Sequence, residues 1–185
     1  MWPLTARAML QEMTSRCGVS WPSSSGIEAG SIVGREPAFL EEEVAGVAGS
    51  LTELQAGNLF VALPFADGDA HCHVEEALAA GASLALVSES WEGLSTLDPS
   101  LRARCLTTPD VLSSFRRFAA AFRRELPCPV IAVFGCNGKT TTKEMLAALL
   151  ASPGRRVVKT PGTDNGFLGL PRTLCSREIR RAAPP

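Results

Sequence analysis

The sequence has no pair of closely spaced cysteines, no marked excess of either charge and no long hydrophobic run. Its six cysteines stand at positions 17, 72, 105, 128, 136 and 175, so none forms a Cys-x-x-Cys motif. This scatter argues against a zinc knuckle or a disulfide framework and is typical of reduced thiols in a cytosolic protein. The 18 basic and 19 acidic residues leave a formal net charge of -1, so no overall field favours nucleic acid or an anionic membrane surface.

Signals for membrane insertion and export are also missing from the sequence. No apolar stretch approaches the ~20 residues that cross a bilayer, and the N-terminus lacks the charged-then-apolar build of an export signal. We therefore expect a cytoplasmic protein with no membrane span and no nucleic-acid partner. The composition, with 45% apolar and 20% charged residues, is ordinary for a globular protein.

Short apolar segments alternate with a helical pattern in the first half of the chain. Residues 58–63 and 83–88 are predicted strands, and residues 74–80 between them carry apolar side chains on one helical face before Gly81. Strand, helix and strand in this order predict an α/β fold with a parallel sheet covered by helices.

A long amphipathic helix is predicted near the middle of the chain, after a loop around residues 97–100 and a brief strand at residues 104–107. Asp110 is placed to cap this helix, which extends to about Arg124. Its buried stripe is predicted from apolar side chains that recur at steps of three and four residues, namely Leu112, Phe115, Ala119 and Phe122.

The segment Leu126-Pro-Cys-Pro129 has two prolines in four residues and is predicted to be a short, stiff connector. We place the domain boundary there, between a first domain over residues 1–126 and a second unit over residues 127–185. The second unit has a predicted helix over residues 139–150 and a predicted strand near residues 156–159. Two strands cannot cover both faces of a parallel sheet, so we expect an incomplete, marginally stable unit with exposed apolar surface.

The most informative segment lies in that unit and reads Val130-Ile-Ala-Val-Phe-Gly-Cys-Asn-Gly-Lys-Thr-Thr-Thr142. It predicts a buried strand, a turn bounded by Gly135 and Gly138, and a helix that begins near Lys139. Glycines let backbone N–H groups approach an anion, and the start of a helix adds unpaired N–H groups and a positive dipole end. Lys139 would contact the outer phosphates, and Thr140 would offer its hydroxyl to Mg²⁺. The pattern predicts a nucleotide phosphate site.

The match is to a short form of the phosphate loop. The general formula has a glycine six positions before the lysine, where this chain has Val133. The alternative is a plain glycine turn with an exposed lysine. The apolar run before the loop and the helical pattern after it favour the phosphate site.

The residues from Gly135 to Met145, Gly-Cys-Asn-Gly-Lys-Thr-Thr-Thr-Lys-Glu-Met, resemble the phosphate loop and following helix of the Mur ligase family, in particular its MurF-type branch. The first domain resembles the family as well, through Ala56-Gly-Asn-Leu-Phe-Val-Ala-Leu63, Asp69-Ala-His71 and the residues from Ala77 to Ala82. The resemblance predicts a small N-terminal Mur-ligase-type α/β domain followed by an incomplete phosphate-loop unit of strand, loop, helix and strand.

The resemblance implies an ATP-dependent amide ligase of peptidoglycan precursor synthesis, which adds D-alanyl-D-alanine to a UDP-N-acetylmuramoyl-tripeptide. In this family a substrate carboxylate attacks the outer phosphate of ATP, and an amine then displaces phosphate. The implied cofactors are ATP and Mg²⁺, with Lys139 as the catalytic group and Thr140 as the metal ligand. The residues implied to hold the nucleotide are Gly135, Cys136, Asn137, Gly138, Lys139, Thr140 and Thr141.

Three residues are implied to contact the UDP-sugar peptide substrate, namely Asp69, His71 and Asn165. A zinc site at His71-Cys72-His73 is the less favoured alternative, because adjacent residues rarely converge on one ion. Two positions differ from the family. Its uridine-binding Asp-Ser-Arg would fall at residues 50–52, which read Ser-Leu-Thr, and its magnesium-serving glutamate would fall at Phe167.

The family continues through the rest of the ATPase domain and a third domain, and the sequence after Leu174 no longer follows its pattern. We therefore expect a truncated form that is inactive by itself. The alternatives are a nucleotide-binding remnant without turnover, a subunit that a complementing chain completes, and, less favoured, a phosphate-loop kinase.

Overall fold

The main sheet of the chain is parallel and has four strands. The structure is a computed structural model, and it describes residues 9, 11–13, 15, 19, 44–65, 68–126, 128–163, 168–176 and 178–179. In spatial order the strands of the sheet are β1 (Gly46–Ala48), β2 (Asn58–Val61), β5 (Leu84–Ser88) and β6 (Cys105–Thr108). A small antiparallel hairpin between β2 and β5 in the sequence consists of β3 (Pro64–Phe65) and β4 (Gly68–Asp69). The predicted α/β fold with a parallel sheet is confirmed.

The register of the central strands places apolar side chains alternately on the two faces of the sheet. Leu59 pairs with Leu84, and Phe60 pairs with Ala85. Leu59 and Leu84 belong to one buried cluster, whereas Phe60 and Ala85 belong to a second cluster on the opposite face. This division follows from the two-residue period of a strand, and burial on both faces is typical of a parallel sheet.

Helices cover both faces of this sheet. The helices that can be given bounds are α1 (Val74–Ala79), α2 (Pro99–Arg102), α3 (Val111–Glu125), α4 (Lys139–Leu150) and α5 (Gly169–Leu174), with short 3-10 turns at Leu51–Glu53, Ala70–His73 and Glu92–Ser95. Helices α1, α2 and α3 supply apolar side chains to the two clusters, whereas α4 contains no buried residue. The predicted helix before Gly81 is confirmed as α1, and Gly81 ends it with a positive φ of 103°. Among the described residues no helix is long and apolar enough to span a membrane.

The long helix α3 agrees with its sequence pattern. The Asp110 side chain accepts a hydrogen bond from the Ser113 N–H at 2.9 Å and so caps the first turn. Phe115, Ala119 and Phe122 are buried in the first cluster. Leu112 is partly buried against the same cluster, so the predicted stripe is confirmed.

The predicted loop around residues 97–100 is correct for residues 97–98 and wrong for residues 99–100, because the helix α2 begins at Pro99. The Asp98 side chain accepts a hydrogen bond from the Ser100 N–H at 2.9 Å, and Pro99 occupies the first helical turn. A capping aspartate followed by proline is a known start signal for a helix. The helix is only one turn long, too short to show an apolar period.

The last described segment, which contains α5, packs against the main parallel sheet. Helix α5 contacts α3 and β1, and Cys175 and Ile179 are buried in the first cluster. The Arg172 guanidinium forms an ion pair with the Glu53 carboxylate. The division of the chain at residue 126 stays a prediction, and these contacts join residues from both sides of it.

Two predicted strands of the second unit are wrong. Residues 130–134 form no strand, and the side chains of Val130, Ile131 and Phe134 are 43%, 60% and 88% exposed. Residues 156–159 also lack strand structure, and an isolated bridge joins Ser152 to Arg155 instead. A parallel strand needs backbone partners and apolar cover. Neither segment is part of a strand ladder, and Val158, which is partly buried against the first cluster, is the residue of the 156–159 segment that packs on it.

Helix α4 is confirmed over its predicted range, Lys139–Leu150. It contains no buried residue, and Met145 and Leu149 are exposed. The predicted exposure of apolar surface in this unit is therefore confirmed as well. Helix propensity and the preceding loop suffice to form α4, whereas a strand depends on neighbours.

Candidate nucleotide phosphate site

The loop before α4 has the backbone shape that an anion site requires. Gly135 and Gly138 have φ values of 142° and 75°, a region that side chains other than glycine rarely adopt. Gly138 is the N-cap of α4, and no side chain caps the helix there. The Thr142 N–H donates to the Gly138 carbonyl at 2.8 Å, so the N–H groups of residues 139–141 precede the first intrahelical bond. These N–H groups face the loop end of the helix.

Lys139 lies over this loop. Its Nζ donates to the Gly135 carbonyl at 2.7 Å and to the Cys136 carbonyl at 3.3 Å. The Lys139 ammonium and the positive end of the α4 dipole therefore lie next to each other. The first turn of α4 contains no acidic residue that would oppose an anion.

These residues fit nucleotide phosphates. The left-handed glycines keep Cβ atoms away from the loop, the uncapped N–H groups supply donors, and Lys139 supplies charge. The loop residues from Gly135 to Gly138 are exposed and so accessible to a ligand. The predicted loop residues Gly135, Cys136, Asn137, Gly138, Lys139, Thr140 and Thr141 are thus brought together by the structure.

The described residues offer fewer ligands for Mg²⁺ than donors for phosphate. Thr140 stands exposed in the first turn of α4, and a hydroxyl is an acceptable ligand for this ion. Within the described ranges no group of three or more His, Cys, Asp and Glu side chains could hold a metal. Mg²⁺ usually takes most of its ligands from phosphate and water, so Thr140 would serve as a ligand only together with a bound phosphate.

The other predicted site residues with described positions form a separate network. The Asp69 carboxylate accepts the His71 backbone N–H at 3.0 Å and lies 2.5 Å from His71 Nδ1. The Ser88 N–H donates to His71 Nε2 at 2.9 Å. Because Nε2 accepts, Nδ1 carries the proton and donates it to Asp69. His71 is buried and joins the hairpin to the end of β5, while contact of Asp69 or His71 with substrate stays a prediction.

The Asp69 network makes a prediction for stability. Partial burial raises the pKa of Asp69, but the hydrogen bonds from the His71 backbone and ring outweigh it and hold this pKa below the usual value of an aspartate. Asp69→Ala is expected to cost about 1–2 kcal/mol at pH 7. A carboxylate with a lowered folded-state pKa stabilises the fold above pH 3.8, and this contribution is lost as the pH falls through the folded-state pKa.

Urea unfolding of the wild type and of Asp69→Ala, at pH 7 and near pH 3, measures the contribution of Asp69 to stability. The difference in stability between them should narrow at the lower pH. Glu75→Ala, which changes an exposed carboxylate of α1, is the control and should change stability by no more than about 0.5 kcal/mol. A difference that is the same at both pH values would contradict the assignment to Asp69.

Two positions named from the sequence, Asn165 and Phe167, lie outside the described residues. The hydrogen bonds of Asp69 and His71 lead to each other and to Ser88, whereas those of Lys139 lead to the phosphate loop. Lys143 was given no role from the sequence, although its position four residues after Lys139 puts both on one helical face.

Comparisons with known proteins agree with the fold. The UDP-N-acetylmuramoyl-tripeptide--D-alanyl-D-alanine ligase of Bacillus subtilis (strain 168) is 36% identical over 138 residues, which cover 75% of this chain and 29% of that protein. The crystal structure of MurF from Acinetobacter baumannii superposes with a TM-score of 0.68 at 27% identity, over 95% of this chain and 34% of that one. No protein-family model matches the chain.

A third relative has a nucleotide bound. The MurF ligase from Thermotoga maritima was solved in complex with ADP, and it superposes with a TM-score of 0.58 at 28% identity. The match covers 72% of this chain and 29% of that one. The chain thus spans roughly a third or less of the length of the relatives it matches. Over the part that these matches cover, the chain belongs to the Mur ligase family and to its MurF type.

Proposed function

We propose that the chain provides the first domain and the phosphate loop of an ATP-dependent amide ligase. The observation that carries this proposal is the loop geometry, in which two left-handed glycines, an uncapped helix start and the Lys139 ammonium converge. The ADP complex of the Thermotoga maritima relative supports an adenine nucleotide as the ligand. The names of the relatives support a UDP-N-acetylmuramoyl-tripeptide and D-alanyl-D-alanine as the substrates.

Each residue of the loop would have its own role in nucleotide binding and phosphoryl transfer. ATP, when bound, supplies the phosphoryl group that activates a carboxylate. The N–H groups of residues 139–141 would donate to phosphate oxygens, and Lys139 would leave the Gly135 and Cys136 carbonyls to neutralise charge on the outer phosphates. Thr140 would orient Mg²⁺ beside them. Positioning and charge neutralisation of this kind account for most of the catalysis of phosphoryl transfer.

The location and partners of the protein are part of the proposal. A ligase that uses ATP and a UDP-linked precursor would work in the cytoplasm, as expected from the sequence. Residues 130–134, which form no strand and expose the apolar side chains of Val130, Ile131 and Phe134, support a larger sheet completed by further strands. We propose that this completion, within one polypeptide or by a complementing chain, is required for turnover.

Phosphate release measures the proposed activity. The protein is incubated with ATP, Mg²⁺, the UDP-linked tripeptide and D-alanyl-D-alanine, and each substrate is omitted in turn. Release that requires both substrates supports the ligase. ADP binding without any such release favours the second candidate, a nucleotide-binding remnant, which the exposed residues 130–134 support. Absence of any nucleotide binding would overturn both.

A further inference from the structure

The Lys143 ammonium is held by three oxygen acceptors. Its Nζ donates to the Thr160 carbonyl at 2.7 Å and to the Gly162 carbonyl at 2.6 Å, and it lies 3.3 Å from Glu144 Oε1. An ammonium group has three protons, and these three acceptors match them. Only 16% of the Lys143 side chain is exposed, so the bonds are partly shielded from water.

The neighbouring Glu144 holds the same segment from a second side. Its carboxylate also pairs with the Lys159 ammonium. The hydrogen bond from Lys159 is the main cause that lowers the pKa of Glu144. Gly162 turns the chain with a φ of 49°. Residues 159–162 are thus attached to the middle of α4 by contacts that span 15 to 19 residues of sequence.

The phosphate loop and residues 159–162, the returning segment, lie on one face of α4. Lys139 and Lys143 are four residues apart, which places them on the same side of the helix, about 6 Å apart along its axis. Lys139 contacts the loop carbonyls of Gly135 and Cys136. Lys143 contacts the carbonyls of residues 160 and 162 one turn further on. The returning segment therefore runs within about one helical turn of the place proposed for the outer phosphates.

We propose that Lys143 is a positioning residue, which fixes residues 160–162 as one wall of the nucleotide site. It acts through those residues and does not itself contact phosphate, because its three protons already have acceptors. A second ligand that approaches the outer phosphate would pass along this wall. The inference deepens the proposed function and rests on it for the identity of the nucleotide.

Three variants test this role. Lys143→Met removes the ammonium and keeps an apolar chain of similar length, and Lys143→Arg restores donors for the two carbonyls. Lys159→Met is the comparison variant, since it removes the more exposed ion pair of the same segment with Glu144 and leaves the Lys143 bonds in place. Backbone hydrogen exchange of residues 157–163 is followed with and without ADP, and the ADP dissociation constant is measured for each protein.

We expect Lys143→Met to raise the exchange rate of residues 160–163 at least about 10-fold without ligand, and to remove most of the further protection that ADP gives. Its ADP dissociation constant should change by less than about 5-fold. Lys143→Arg should recover most of the protection. Lys159→Met, which removes a more exposed ion pair, should raise the exchange rate by no more than about 3-fold.

Two results would overturn the inference. One is unchanged exchange of residues 160–163 in Lys143→Met. The other is a loss of ADP binding in Lys143→Met as large as in Lys139→Ala, which would make Lys143 a phosphate ligand. If the wild-type chain binds no ADP, the proposed function fails, and the exchange without ligand still decides whether Lys143 holds this segment.

Discussion

Lys139→Ala is expected to weaken ADP binding about 10- to 100-fold. A hydrogen bond to a charged group contributes about 1.5–3 kcal/mol, and Lys139 is the cation that the structure places on the phosphate loop, with its Nζ 2.7 Å from the Gly135 carbonyl. Alanine keeps the helix start and its N–H groups, so weak binding through the backbone should remain. Titration calorimetry with ADP measures the change directly.

The control for this experiment is Lys159→Ala, which removes an equal charge from the surface of the same unit. Its ADP affinity should stay within about 3-fold of the wild type, because exposed charges contribute little at ordinary ionic strength. Equal affinities of Lys139→Ala and the wild type would show that the nucleotide binds elsewhere. The proposed function would then lose the observation that carries it.

Phe115→Ala is expected to destabilise the chain by about 3–5 kcal/mol, the usual cost of removing a buried phenyl ring. Phe115 is fully buried in the first cluster, where α3 packs on the sheet. The loss of transfer free energy adds to the cost of the cavity that remains. Unfolding in urea, followed by circular dichroism, gives the free energy of unfolding for both proteins.

The same substitution at Phe134 is the matched control. The Phe134 side chain is 88% exposed, so Phe134→Ala should change the free energy of unfolding by no more than about 0.5 kcal/mol. A cost at Phe134 comparable to that at Phe115 would contradict the exposure of residues 130–134. It would mean that this segment is covered in solution, as a buried strand of a complete sheet would be.

The sequence was most informative where structure is local or strongly apolar. The strands β2 and β5 are short apolar runs, and α3 combines a cap at Asp110 with a regular apolar period. The glycine positions of the phosphate loop could be predicted because the requirement for positive φ is a property of single residues. Strand β1 was not predicted, since its three residues, Gly46–Ala48, are too few to show an apolar period.

Features that depend on distant residues could not be predicted. Residues 130–134 have the composition of a buried strand, but burial requires partners that the described residues lack. The bonds of Lys143 reach carbonyls 17 and 19 residues away, and nothing in the local sequence marks those carbonyls as acceptors. His71 was predicted as a loop histidine near substrate, whereas its two ring nitrogens bond within the chain.

The packing of α5 on α3 and β1 affects the order in which the chain can fold during synthesis. Cys175 and Ile179 belong to the same core as Leu59 and Phe115, so that core cannot close until the ribosome has released the last of these residues. The residues between α3 and α5, which include the phosphate loop, then form a long connection whose two ends are held in the core. The entropy of closing such a loop grows by only about 0.6 kcal/mol for each doubling of its length. Evolution could therefore lengthen or shorten this segment at little cost to the core that anchors it.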